Sequence, residues 1–312
     1  MPFKLGVNLP QSTNYDLAED IVAAARAAEQ IGYDSVWAFE RVLFPHDQTG
    51  SHGLYGVPDL PWPAVYSAIS DPLVTLAMAA AVTRRVELGT GVLLPPLHLP
   101  VKLAKTMASL DHSSRGRFIA GLGSGWSIDE YAAASPRPFA ERGAALDEFL
   151  DVAAAVWGTN PVTVDTGRYR IDQADVNPKP ARRIPLYLAG SNGTAMLRIA
   201  RRADGWLPTG ISPAQAVAGL GLIREMAEAA GREPTAVGCI FQVSLRGPLV
   251  EVPAEGRQPF TGSVDQVTTD ITELAAGGIE HAYLTLPYVS RDRNEYFDRM
   301  AEIHAAVRGA GL

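Results

Sequence analysis

Residues 116–126, GRFIAGLGSGW, join an apolar strand to a loop of three glycines and a serine. The strand, 117–120, shows no polar alternation and is the kind buried on both faces of a parallel sheet. Glycines at its exit leave backbone N–H groups open to an anion, because no Cβ stands in the way. Two readings compete: a cradle for a cofactor phosphate, or only a tight turn into the next helix. The pattern recurs in AGSNG at 189–193, again between a strand and a helix, and the recurrence favours the phosphate.

Other chemistries fit less well. GLGSG at 121–125 misses the dinucleotide spacing G-x-G-x-x-G, since its third glycine comes one position early. AGSNG comes nearer to a nucleophile elbow, with Ser191 as the nucleophile of a serine hydrolase. That reading needs a histidine on a later strand exit. The only downstream histidines are His281, at the start of a strand, and His304, inside the last helix. The six histidines show no metal-ligand spacing, so no metal is expected. Carboxylate pairs such as Glu19-Asp20 and Asp147-Glu148 read as solvated helix faces. Asp111-His112, between a helix and a turn, reads as structural.

The elements that must position these residues alternate. Strands are expected at 3–9, 35–39, 86–94, 117–120, 184–189, 204–207, 236–245 and 281–286. Helices are expected at 16–31, 71–83, 99–110, 127–134, 140–157, 193–202, 213–230, 263–276 and 292–308, the first capped by Asn14 and stopped by Gly32. Residues 42–70 are rich in Pro, Gly and aromatics without periodicity, the signature of an active-site wall or lid. An extended hairpin is expected as an insertion within 158–183. Eight strands alternating with helices predict an α/β fold, a (β/α)8 TIM barrel in one domain over 1–312. A doubly wound sheet would carry its phosphate loop after the first strand, which here ends in Asn-Leu-Pro-Gln. Barrel active sites lie at the C-terminal strand ends. The residues there are Asn8, Glu40, Arg41, Gly91, Val92, Ser124, Gly125, Trp126, Gly190, Ser191, Asn192 and Thr209, with Phe39, Phe44, Trp62 and Tyr66 as an apolar wall.

At 312 residues and 47% hydrophobic content the chain can bury a large core. A net charge of −7 offers no basic footprint for nucleic acid and no polybasic membrane patch, so a small-molecule partner is expected. The lone Cys239 excludes a disulfide framework and suits a reducing cytoplasm. The chain enters a strand at once and has no long apolar run, so neither export nor membrane spanning is expected.

Over nearly its whole length the chain resembles the bacterial luciferase-like superfamily of flavin and deazaflavin barrels. The resemblance rests on GYDSVWAFERVLFP at 32–45, the run from DPLVTLAMAAAVT to MASLD at 71–111, GRFIAGLGSGW, NPKP at 177–180, IPLYLAGSNG at 184–193 and ADGWLP at 203–208. The ERVLFP and GSGW versions resemble the subgroup that uses the deazaflavin coenzyme F420. The resemblance implies a cytoplasmic F420-dependent oxidoreductase that moves a hydride between the coenzyme and a small organic substrate. An FMN-dependent monooxygenase is the alternative, and a homodimer is the assembly such relatives often form. It further implies a non-prolyl cis bond at Gly91–Val92 behind the ring, phosphate contacts at Ser124, Gly125, Gly190, Ser191 and Asn192, and Asn8 near the ring. Trp126 replaces a polar residue of some relatives and suggests stacking. Glu40-Arg41 stands where many relatives carry an acid followed by histidine. Arginine cannot shuttle protons, so Glu40 is the acid/base candidate and Arg41 a holder of an anionic ring or substrate.

Overall fold

Short strands buried on both faces need neighbours on either side, and closing the sheet supplies them without leaving an edge. The computed structural model describes residues 2–312. Its strands are β1 (Lys4–Asn8), β2 (Ser35–Ala38), β3 (Glu87–Thr90), β4 (Phe118–Leu122), the ribbon β5 (Val162–Asp165) and β6 (Arg170–Ala174), then β7 (Leu186–Leu188), β8 (Gly205–Trp206), β9 (Gly238–Val243) and β10 (His281–Leu284). Eight of them close into a parallel barrel in the order β1-β10-β9-β8-β7-β4-β3-β2, while β5 and β6 pair antiparallel outside it. The helices are α1 (Asp20–Ile31), α2 (Pro72–Val82), α3 (Pro100–Ser113), α4 (Ile128–Ala134), α5 (Arg142–Trp157), α6 (Gly193–Arg202), α7 (Pro213–Ala229), α8 (Val264–Ala276) and α9 (Arg293–Gly309). None among the described residues is long and apolar enough to cross a membrane.

Two apolar layers hold the barrel. The larger lies between strands and helices; the smaller fills the interior with Trp37, Ile119, Leu207, Ile240 and Tyr283. Trp37 stacks on Tyr283 with ring centroids 4.4 Å apart. Room for the indole comes from glycine: a Cβ at Gly89 would lie 2.3 Å from its ring, and one at Gly6 2.6 Å from Nε1. Burying an indole of roughly 200 Å² contributes on the order of 5 kcal/mol, so these two strand glycines are packing requirements.

Several sequence expectations are corrected in detail. Asn14 does not cap α1, which starts at Asp20; Asp16 instead accepts the amides of Ala18 and Glu19 at 2.9 and 3.1 Å. Asp111-His112 lies inside α3 rather than after it, because the helix continues to Ser113. β3 stops at Thr90, and Leu93 rejoins the sheet through a single bridge to Leu122. Gly91 and Val92 therefore form a break in the strand. The expected cis bond is absent there. The cis peptides of the described residues are Asn160–Pro161 and Asn177–Pro178, and Gly91–Val92 is trans. Ladder hydrogen bonds flank the break on both sides, Gly91 N to Ala38 O at 2.8 Å and Leu93 N to Gly121 O at 2.9 Å.

Candidate active site

The C-terminal strand ends surround a cleft of about 690 Å³, a volume in the range of small-molecule sites. Its wall is built from the exits of β2, β3, β4, β7, β8 and β9, together with Tyr55 and Tyr66 of the 42–70 segment. Of the twelve strand-end residues singled out in the sequence, all but Asn8 line it. Asn8 is buried at the end of β1, where its carbonyl accepts the Tyr296 hydroxyl at 2.7 Å and its Oδ1 has no protein partner. Phe39, Tyr66 and Trp126 reach the cleft; Trp62 and Phe44 do not line it and instead stack edge to face on each other.

One side of the cleft is built to take an anion. Gly123, Ser124 and Gly125 follow β4, and Gly190, Ser191 and Asn192 lead into α6. Gly125 (φ 76°) and Gly190 (φ 133°) hold left-handed backbone that a side chain would strain. A Cβ on Gly190 would also meet Ala195 at 2.6 Å. Asn192 caps α6 by accepting from Ala195 N at 2.9 Å, and the remaining first-turn amides have no i−4 carbonyl within the helix. These free amides and the positive helix end give this side of the cleft the means to hold an anion. Beside this cradle the Gly91–Val92 bulge offers a backing surface, kept open by Gly91, where a Cβ would lie 2.4 Å from the Tyr283 hydroxyl. A flat ring with a phosphate tail fits these features.

The neighbours Glu40 and Arg41 point to different partners. Glu40 is 3% exposed; its Oε2 accepts Leu94 N at 2.7 Å and its Oε1 meets His98 Nε2 at 2.7 Å. Burial pulls the His98 imidazole down, but the Glu40 carboxylate bonded to it, helped by Asp71, lifts it above its ordinary value. Arg41 pairs with Glu130 at 3.1 Å, donates Nε to the Glu40 carbonyl at 2.6 Å, and lies over Trp126, Tyr66 and Trp62 at 5.0, 5.6 and 5.7 Å. Glu130 also takes Val42 N at 2.8 Å, and its burial raises its pKa against the pull of Arg41. The two side chains therefore do not pair with each other. Arg41 pins the start of the 42–70 segment to α4, and Glu40 remains as the carboxylate facing the cleft.

Glu130 and His98, which stand behind the cleft wall, and Gln242, which lines it, carry little sequence signal of their own. Glu130 reads as the fourth residue of a Ser127 capping box, and the Ser127 hydroxyl does take its amide at 3.2 Å, but its carboxylate turns to Arg41. His98 sits between prolines with no spacing to mark it. Gln242 is the single polar interruption of the 237–243 run, a trace that was available; its Oε1 accepts the Tyr283 hydroxyl at 2.8 Å. The hydrolase reading finds no support in the geometry. His281 bonds Ser35 at 2.8 Å and His304 packs on Tyr33, both at the N-terminal side of the strands, away from Ser191.

A family model described as luciferase-like monooxygenase matches residues 2–255. An uncharacterized protein of Mycobacterium tuberculosis is 37% identical over 190 residues, covering 60% of this chain and 66% of the relative. An F420-dependent glucose-6-phosphate dehydrogenase of Beutenbergia cavernae is 35% identical over 192 residues, covering 61% of this chain and 52% of the relative. The matches thus span between about half and two thirds of these relatives' lengths. The crystal structure of monooxygenase RslO1 from Streptomyces bottropensis superposes with a TM-score of 0.77 at 23% identity, covering 99% of this chain and 100% of that one.

Proposed function

This chain belongs to the luciferase-like monooxygenase family, and we propose that within it the protein is a coenzyme F420-dependent oxidoreductase acting on a small organic substrate. The observation that carries the reading is the cleft itself, where the phosphate cradle at 123–125 and 190–193 adjoins the bulge at 91–92 and a buried carboxylate, Glu40. The dehydrogenase of Beutenbergia cavernae supports the choice of cofactor. When bound, the deazaflavin supplies hydride acceptance and donation at its C5 carbon.

The chain's own residues do the rest. The first-turn amides of α6 and the glycine-rich β4 exit hold the phosphate. Gly91 and Val92 back the ring from one side, and Trp126 walls the cleft beside it. Glu40 takes or returns the substrate's proton at Oε1 or Oε2, which general acid/base catalysis requires within hydrogen-bond reach. His98 holds that carboxylate in place from behind. Aromatic residues of the 42–70 segment, anchored through Arg41 and Glu130, keep water from the reacting atoms.

The reading is tested by loading the protein with oxidised F420 and following the cofactor's absorbance while primary and secondary alcohols, aldoses and hydroxy acids are added. Bleaching with at least one class, lost in Glu40→Gln, is the expected result. Turnover of FMNH2 with oxygen and no bleaching of F420 would overturn it.

A further inference from the structure

The cleft contains a second cation that the phosphate cradle does not use. Among the described residues its basic side chains include Arg41 and Arg246, and they differ in one respect. Arg41 is matched by Glu130 at 3.1 Å, whereas among the described residues no carboxylate lies within ion-pair distance of Arg246 and no hydrogen bond engages it. The other carboxylate of the wall, Glu40, is already met by His98. Arg246 follows β9, and beside it Ser244 and Thr209 join hydroxyls at 2.7 Å. Gln242, on the same strand, gives its oxygen to Tyr283 and leaves its amide N–H groups to the cleft. Burial and Tyr66 raise the pKa of the Tyr55 hydroxyl, and Arg41 and then Arg246 pull against them. This wall is therefore rich in donors and has no resident anion.

Position sharpens the point. In the closed strand order β9 stands four places from β3, directly across the barrel. Of the cradle, β4 stands next to β3, and β7, which leads into α6, stands midway between β3 and β9. A ring backed by the bulge at 91–92 thus leaves the space in front of it facing Gln242, Ser244 and Arg246. We propose that Arg246, with Thr209 and Ser244, forms a second anion subsite that holds the carboxylate or phosphate of an organic substrate lying against the ring. This inference rests on the function proposed above and adds the substrate class. An acidic tail on the cofactor presents the same chemistry, and the experiment separates the two sources. Guanidinium suits the task because it stays charged and grips a carboxylate or phosphate with two parallel donors.

The test compares wild type, Arg246→Met and Arg246→Lys, each checked for folding by circular dichroism. Each protein is titrated with intact oxidised F420 and with the truncated deazaflavin that lacks phosphate and tail. The F420-loaded proteins are then titrated with inorganic phosphate and with succinate, by calorimetry. If the subsite serves a substrate, R246M leaves both deazaflavin affinities unchanged and weakens phosphate or succinate binding about 10- to 100-fold, with R246K intermediate. If it serves the cofactor, R246M weakens intact F420 alone by a similar factor, and the subsite stands with its ligand reassigned. Equal binding of every probe to all three proteins overturns the subsite. A wild type that binds no deazaflavin would instead defeat the proposed function, and phosphate titration of the unloaded variants would still test Arg246.

Discussion

The two ends of the barrel handle polar groups in opposite ways. At the N-terminal end the buried polar groups Asp111 and His281 are matched within the protein, although His304 Nε2 has no hydrogen-bond partner among the described residues. Asp111, fully buried, accepts Ala181 N at 2.8 Å and Arg182 N at 3.3 Å, tying α3 to the segment that enters β7. His281 closes a chain with Ser35 and Trp37 at 2.8 Å each, and burial holds its pKa down to about 3. At the C-terminal end donors and acceptors are left available: the α6 amides, the Ser191 hydroxyl, the Arg246 guanidinium and the cleft face of Glu40. Saturated polar groups stabilise a fold, and unsaturated ones wait for a ligand. The same barrel thus separates stability from binding by the direction of its strands.

That separation can be broken by exchanging the effects. Glu40→Gln is expected to lower turnover by about 100-fold or more while stability changes by about 1 kcal/mol, seen by parallel kinetics and urea titration. A loss of stability above turnover would place Glu40 with the N-terminal group. Asp111→Ala is expected to do the reverse, destabilising by about 3 kcal/mol because three backbone donors, from Phe118, Ala181 and Arg182, lose their carboxylate, with cofactor affinity of the folded fraction unchanged. Gly190→Ala strains a left-handed backbone beside Ala195 and should weaken F420 binding by about 10-fold, read by fluorescence.

The His98 pair sharpens the comparison through pH. Its folded pKa is raised, so its contribution to stability is fully present below the ordinary imidazole value of about 6.5 and is lost as pH rises through the raised value. The stability gap between wild type and His98→Gln should therefore be widest below about pH 6.5 and narrow as pH rises through the raised value. Urea midpoints across pH 5.5–8.5 measure it, and a gap that widens with pH would contradict the Glu40 contact. Ser191→Ala is the smallest change, weakening F420 about 2- to 10-fold for one hydrogen bond, with any esterase activity untouched.

The barrel was legible because its strands are uninterrupted apolar runs separated by helices with clear stops, and eleven of twelve candidate strand-end residues do line one cleft. What escaped the sequence depends on contacts between distant segments. Glu40 and Arg41 are adjacent in the chain, yet their partners, His98 and Glu130, come from 58 and 89 residues away. The Gly91–Val92 bond is trans although the resemblance implied cis, and no residue type at that position marks the isomer. Arg246 stands out only once its neighbours are known to include no acid.

The most direct test of the whole account is a titration of the purified protein with oxidised F420 and, separately, with FMN, following quenching of tryptophan emission, to which Trp126 in the cleft wall is well placed to report. The account predicts micromolar binding of F420 and at least about 10-fold weaker binding of FMN, a gap of roughly 1.4 kcal/mol. Tighter binding of FMN, or no binding of either, would contradict it.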